Sequence, residues 1–187
     1  MSIRTLMLAT ALGFAFAAPL APAFAQEKTV EVGGAPMYPS KDIIDNAVNS
    51  KDHTTLVAAV KAAGLVETLK GAGPFTVFAP VNAAFAALPA GTVDTLLKPE
   101  NKATLTAVLT YHVVAGKVSA ADLMAAIKKD GGKHVITTVQ GGKLTAEEKG
   151  GKIVLVDAKG GMSTVTIADV NQKNGVIHVV DHVLLPM

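Results

Sequence analysis

The sequence predicts an α+β domain with its helices gathered in the first half and its strands in the second. Two observations predict it. Between Ser40 and Lys129 apolar residues recur at three- and four-residue spacing, the period of a helix face. From Gly131 onward the pattern changes. Double glycines recur every nine or ten residues, at Gly131-Gly132, Gly141-Gly142, Gly150-Gly151 and Gly160-Gly161, with short apolar or alternating runs between them. Helices and strands that are segregated along a chain build an α+β fold, not a doubly wound sheet.

The elements follow in order. Arg4, the apolar run Leu6 to Ala18 and the closing Ala23-Phe24-Ala25 form a basic, an apolar and a small-x-small region. That pattern predicts a signal peptide over 1–25, with the mature chain starting at Gln26. The run is shorter than the roughly 20 residues that span a bilayer, and Pro19 and Pro22 break it. Gln26 to Pro39 shows no period and is read as a flexible leader, so the domain is expected over 40–187. Ser40 is expected to cap a helix through Ile43, Ile44, Ala47 and Val48. Asp52 is expected to cap a second, with Leu56, Val57, Val60 and Ala63 inward and Gly64 ending it. Phe75–Phe78 reads as a strand, and Asn82 as the cap of a short helix through Phe85. Leu105, Val108, Leu109 and His112 share one face of a further helix. Ser119 and Asp122 have the spacing of a capping box for another, through Leu123 and Ile127.

Glycine pairs supply the positive φ that tight hairpins need. The runs His134–Val139, Lys143–Glu147, Ile153–Val156 and Thr164–Val170 therefore read as an antiparallel meander, closed by a long strand Val176–Leu185. Both faces of that last strand are mostly apolar, as expected for a strand covered on both sides. None of the Gly-Gly-Lys triplets is followed by Ser or Thr, which excludes a phosphate-binding loop.

Three segments are more specific. Gly73–Phe85 reads G-P-F-T-V-F-A-P-V-N-A-A-F, Asn174–Pro186 reads N-G-V-I-H-V-V-D-H-V-L-L-P, and Tyr111-His112-Val113-Val114 lies between. In this order and spacing they resemble the fasciclin-like domain, an extracellular adhesion and binding family. The resemblance implies a wedge of mixed strands flanked by helices, with both outer segments as central strands. It makes Phe75, Phe78, Pro80, Asn82, Phe85, His178, Asp181 and His182 structural signature positions. It also makes Tyr111, His112, Val113 and Val114 the candidate partner-binding residues, because that segment is linked to receptor contacts in adhesion members. Val81 departs from the family pattern, which usually has Thr there.

Composition narrows the partners. Arg4 is the one arginine in the chain, so the predicted mature protein has sixteen Lys against fifteen Asp plus Glu. Arginine's fork is the usual reader of phosphate and guanine, and its absence argues against specific nucleic-acid recognition. Tyr38, Phe75, Phe78, Phe85 and Tyr111 are the mature aromatics, too few for a base-stacking platform. With no cysteine there is no disulfide, thiol catalysis or thiolate metal site.

His178 and His182 look like a metal pair, but four residues of strand separate them by roughly 13 Å, and bonds near 2 Å to one ion cannot bridge that. No metal or cofactor is expected. Asp181 falls among apolar neighbours, where a carboxylate must be hydrogen-bonded or sit at a wet strand end. No G-x-S-x-G or HExxH motif is present, and no enzyme is expected. The expected function is an exported, periplasmic or secreted, binding module for a cell-surface or matrix protein or glycan. The alternative is a carrier or scaffold for a small apolar ligand. No stable membrane insertion is expected after signal removal.

Overall fold

A computed structural model describes residues 28–187. The predicted signal peptide lies outside the described residues. The reading of a flexible leader over 26–39 needs correction. Strands β1 (Val30–Val32) and β2 (Ala35–Met37) form an antiparallel hairpin. Gly33 and Gly34 turn it at φ 60 and 73. Val32 and Met37 are buried in the first hydrophobic core. Three-residue strands are too short to show a period, which is why this hairpin escaped the sequence pattern. The packed domain therefore begins before Ser40.

Helices α1 (Ile43–Ala47), α2 (Thr54–Ala63) and α3 (Val66–Lys70) follow. The cap of α1 is Asp42, not Ser40: its carboxylate accepts from the Asp45 N–H at 2.8 Å. Asp52 is not a cap either. It lies in a 3₁₀ turn, Lys51–His53, that leads into α2. Gly64 ends α2 in the left-handed conformation at φ 74, as its position predicts. Strand β3 (Phe75–Pro80) leads into α4 (Asn82–Ala86) and α5 (Thr92–Leu96). Then come α6 (Lys102–Tyr111), β4 (Val113–Ala115) and α7 (Ala120–Lys129). Helix α7 opens with the predicted Ser119/Asp122 capping box.

The second half is the expected meander: β5 (Lys133–Thr137), β6 (Lys143–Lys149), β7 (Lys152–Val156), β8 (Met162–Gln172) and β9 (Gly175–Val180). These pair antiparallel in turn, and β9 then pairs parallel with β3, giving the order β4-β3-β9-β8-β7-β6-β5. The closing strand stops at Val180, not Leu185. Asp181 and His182 form a bend, and the tail beyond them is not a strand.

The sheet separates two cores. Val77 of β3, Ile177 and Val179 of β9 pack with α1, α2 and α6. On the other face Phe78 and Val180 pack with Tyr111, Leu144, Leu155 and α7. Apolar residues on both faces of β3 and β9 are thus explained by burial between two cores. The sheet's edge strands also meet. Just past β5, the Val139 N–H donates to the Val113 carbonyl in β4 at 2.7 Å.

Candidate functional site

The three signature segments converge where β3, β4, β9 and the end of α6 meet. His112 sits at the C-cap of α6, and 2% of it is exposed. Its Nδ1–H donates to the Val108 carbonyl at 2.8 Å, one helical turn back. Its Nε2 accepts from the Leu184 N–H at 3.0 Å, tying down the C-terminal tail. Its own carbonyl accepts from the Phe78 N–H at 2.9 Å. Both ring bonds require the neutral imidazole, and burial pushes its pKa down to about 4.

Tyr111 has no exposed surface. Its hydroxyl donates to the Lys143 carbonyl at 2.7 Å and accepts from the Ala158 N–H at 3.1 Å, joining α6 to the open end of the β6–β7 hairpin, where β6 begins and the chain leaves β7. Burial raises its pKa. Val113 and Val114 are buried too, the first in the helix-side core and the second in the α7-side core. All four candidate partner-binding residues therefore face inward. Their direct use as a contact surface is not compatible with this arrangement: the alternation of a short strand between two cores leaves neither face to solvent.

His178, on β9, is buried between β8 and the segment that leads into α7. Its Nδ1 accepts from the Asp169 N–H at 3.2 Å and its Nε2–H donates to the Val118 carbonyl at 2.9 Å. Its ring stacks on Phe78 at 5.7 Å between centroids. Burial lowers its pKa. A bulge in β8 serves this contact: Asp169 takes φ 56, turning its N–H to His178 while its carboxylate accepts from the Ala120 N–H at the start of α7. His182 lies past the strand end with its Nδ1 against Asp181 at 2.8 Å. Asp181 also accepts from the Thr164 N–H at 2.7 Å. Burial would raise the Asp181 pKa, but the bonds from His182 and Thr164 outweigh it and lower it.

Asn82 does not cap its own helix. The N-cap of α4 is Val81, without a side-chain bond. The Asn82 oxygen instead accepts from the Thr55 N–H at 3.0 Å, the free donor end of α2, while its amide donates to the Lys51 carbonyl at 2.8 Å. It caps a helix 27 positions earlier, a partner no local pattern reveals. Phe85 is buried, Phe75 partly so, and Pro80 ends β3.

Sequence reasoning missed Asp157 and Asn174. Asp157 accepts from the Lys159 and Gly161 N–H groups and, with its second oxygen, from the Leu185 N–H at 3.0 Å. Asn174 accepts from the Ile43 N–H and donates to the Leu69 and Gly71 carbonyls. The Asp-Ala-Lys-Gly turn carried a local signal for the first. The second opens a signature segment, but no local pattern reveals its partners, since its acceptor bond crosses 131 positions.

The helix-side core contains an apolar cavity of about 60 Å³, lined by residues including Val57, Val60, Leu69, Val77 and Ile177. His53 also borders it; its Nε2 faces the Ala79 carbonyl without completing a hydrogen bond. The volume is well under the roughly 150 Å³ that accommodates benzene. A carrier for an apolar ligand would have to open this core first. Among the described residues no group of three metal-ligating side chains is assembled, and no helix is long and apolar enough to cross a membrane.

The fold and these contacts define a mixed-sheet wedge whose signature polar groups hold strands, helix ends and tail together. The Fasciclin domain profile matches residues 51–186. The chain is 46% identical over 177 residues to protein sll1483 of Synechocystis, covering 93% of this chain and 91% of that one. It is 37% identical over 145 residues to the cell surface glycolipoprotein MPB83 of Mycobacterium bovis, covering 75% of this chain and 58% of that one. Among solved structures, a FAS1 domain pair from the insect cell adhesion molecule Fasciclin I superposes with a TM-score of 0.70 at 17% identity. The match covers 86% of this chain and 58% of that one. The chain belongs to the fasciclin domain family.

Proposed function

We propose that this chain is an exported, non-enzymatic binding module that recognises a protein or glycan at the cell surface or in the matrix. One observation carries the proposal. Of the signature groups with the chemistry for catalysis, both nitrogens of His112 and of His178, the Tyr111 hydroxyl and the Asp181 carboxylate are used in internal hydrogen bonds, and His182, with its side chain 58% exposed, is paired with Asp181 through Nδ1. What remains for recognition is the surface they hold in shape. Tyr111, His112, Val113 and Val114 then act on binding through the fold. The kinship with a cell surface glycolipoprotein and the shared fold with a cell adhesion molecule support the same reading.

The surface chemistry sets the affinity. Trp and Arg, the richest hot-spot residues, are missing from the described surface, and Tyr38 is its one substantially exposed aromatic. A single contact is expected at about micromolar Kd, near −8 kcal/mol. Many copies on one surface would add a factor of roughly 10²–10⁴ by avidity. The test compares soluble protein with bead-coupled protein on the same cell or matrix surface. Strong adhesion of the coupled form alone is expected. Equal nanomolar binding by the soluble form would contradict the proposal and point to a deep specific pocket.

A further inference from the structure

Strands β5 to β8 have one face packed against α7 and its core, through Ile136, Leu144, Leu155 and Val165. The register sets out the other face in rows. One row is Val135, Thr145, Val156 and Met162. The next is Lys133, Glu147, Val154 and Thr164. The pairs Thr137–Lys143 and Lys149–Lys152 bound them at either end. Val135 and Met162, at the two ends of the first row, are 52% and 55% exposed, Thr145, Val156 and Thr164 are half-buried, and Val154 in the second row is buried among its neighbours. The helices that cover the equivalent face of β3 and β9 do not extend here, because their contacts are with β3, β9 and the far end of β8.

The charge on this face is one-sided. Its rows carry four lysines, Lys133, Lys143, Lys149 and Lys152, against one carboxylate, Glu147, a net of +3, with Asp181 at the β8 margin bonded to the Thr164 N–H. The whole chain sums to +2, so everything outside the face sums to −1. Glu147 is already neutralised, paired with Lys133 at 2.9 Å and Lys149 at 3.4 Å. Hydrogen bonding from Lys133 holds its pKa down, against a smaller effect of burial. Lys143 and Lys152 make no salt bridge among the described residues.

We infer that this open face binds a linear anionic polysaccharide, one bearing carboxylates or sulfates along its length. The inference rests on the binding-module reading and names its partner class. Lys143 and Lys149 lie six residues apart on one strand, roughly 20 Å at about 3.3 Å per residue. A small anion cannot reach both ends, whereas a polymer with repeated charges spans them. Between the lysines the strip of Val135, Thr145, Val156 and Thr164 offers hydroxyls and methyls to sugar hydroxyls and ring faces. Lysine is a flexible point charge without arginine's fixed fork, so it suits spaced anions of varied geometry. A bilayer fits less well: Thr145, Thr164 and the Glu147 ion pairs would have to be desolvated for the sake of two exposed apolar side chains.

The test uses the purified protein and immobilised polygalacturonate at low salt, with neutral dextran as the control surface. Retention on polygalacturonate that is lost as salt rises is expected, with none on dextran. The variant Lys143→Gln/Lys149→Gln/Lys152→Gln should bind at least tenfold more weakly. The variant Lys61→Gln/Lys98→Gln/Lys102→Gln has the same net charge but alters the helical side, and should bind as wild type does. Equal loss in both variants would overturn the inference, leaving only a general charge effect. Absence of retention overturns it too, as does capture by vesicles containing phosphatidylglycerol without capture by polygalacturonate. If the first variant still adheres as coated beads to the native surface, the binding-module reading survives and this face is not its site.

Discussion

Gly175→Ala is expected to remove a large share of the domain's stability. Gly175 opens β9 and pairs with Phe75 in the parallel ladder to β3, and with Gln172 in the antiparallel ladder to β8. A Cβ at Gly175 would collide with the carbonyl oxygen and carbon of Phe75. These are backbone atoms, and no rotamer change relieves the overlap. Relief means parting β3 from β9, the two strands buried between both cores. Substitutions with no local escape belong to the costly tail, about 4 kcal/mol or more, against a total stability of about 5–15 kcal/mol. Gly150→Ala is the comparison. Gly150 has φ 60 in the β6–β7 turn, but an added Cβ there meets nothing. Its expected cost is only the left-handed strain of about 1–2 kcal/mol. Denaturant midpoints of the two variants check this, and a near-wild-type midpoint for Gly175→Ala would show that the central ladder yields easily.

Stability is expected to fall by about 3 kcal/mol from His112 alone as pH drops from neutral to 4. The sign follows from linkage. Above pH 6.5 the ring is neutral in both folded and unfolded chains, and its contribution is fully present. Between 6.5 and about 4 the unfolded chain takes up a proton that the folded protein refuses. The unfolded state binds more protons in this window, so stability decreases as pH falls. The separation of the two pKa values corresponds to roughly 3 kcal/mol. His53 and His178, whose pKa values burial also lowers, act in the same direction. A second loss follows at lower pH, where Asp181, held below its usual range by His182 and Thr164 against the opposing and larger single effect of burial, becomes protonated. Protonating His112 also places two donors, its own Nε2–H and the Leu184 N–H, against each other. Urea denaturation at pH 7, 6, 5 and 4 measures the effect. In the variant His112→Gln the slope between pH 6 and 4 should be visibly shallower, and an unchanged slope would assign the acid lability to other groups.

The split between an early helical half and a late meander was legible because both signals are periodic. Glycine pairs mark the hairpins, and three- and four-residue spacing marks α2, α6 and α7. Caps were legible where they are local, as at Ser119 with Asp122 and at Gly64. One was missed because its partner is remote, since Asn82 serves α2, and one was misplaced although local, since Asp42 and not Ser40 accepts from the Asp45 N–H. Short elements escaped for a related reason. The three residues of β1 or β2 and the five of α3 or α5 hold too little pattern to separate from a loop, and tertiary packing decides them. The end of β9 was misplaced because Val183 and Leu184 continue its apolar run, although they are buried as tail residues held by His112 and Asp157. The candidate site was legible as a set of residues but not as a set of directions. A Tyr-His pair beside valines looks the same in sequence whether its side chains point outward or, as here, lock the helix end to the tail.

The central claim is that the signature histidine and its neighbours make the scaffold and that the surface does the binding. Unfolding free energy and bead adhesion measured together on His112→Ala test it most directly. The expected result is a stability loss of roughly 1–3 kcal/mol, the penalty for leaving the Leu184 N–H and Val108 carbonyl without their partner. Adhesion should stay at the wild-type level whenever the variant is folded. Unchanged stability with lost adhesion would contradict the claim and make the Tyr111-His112 segment a contact surface.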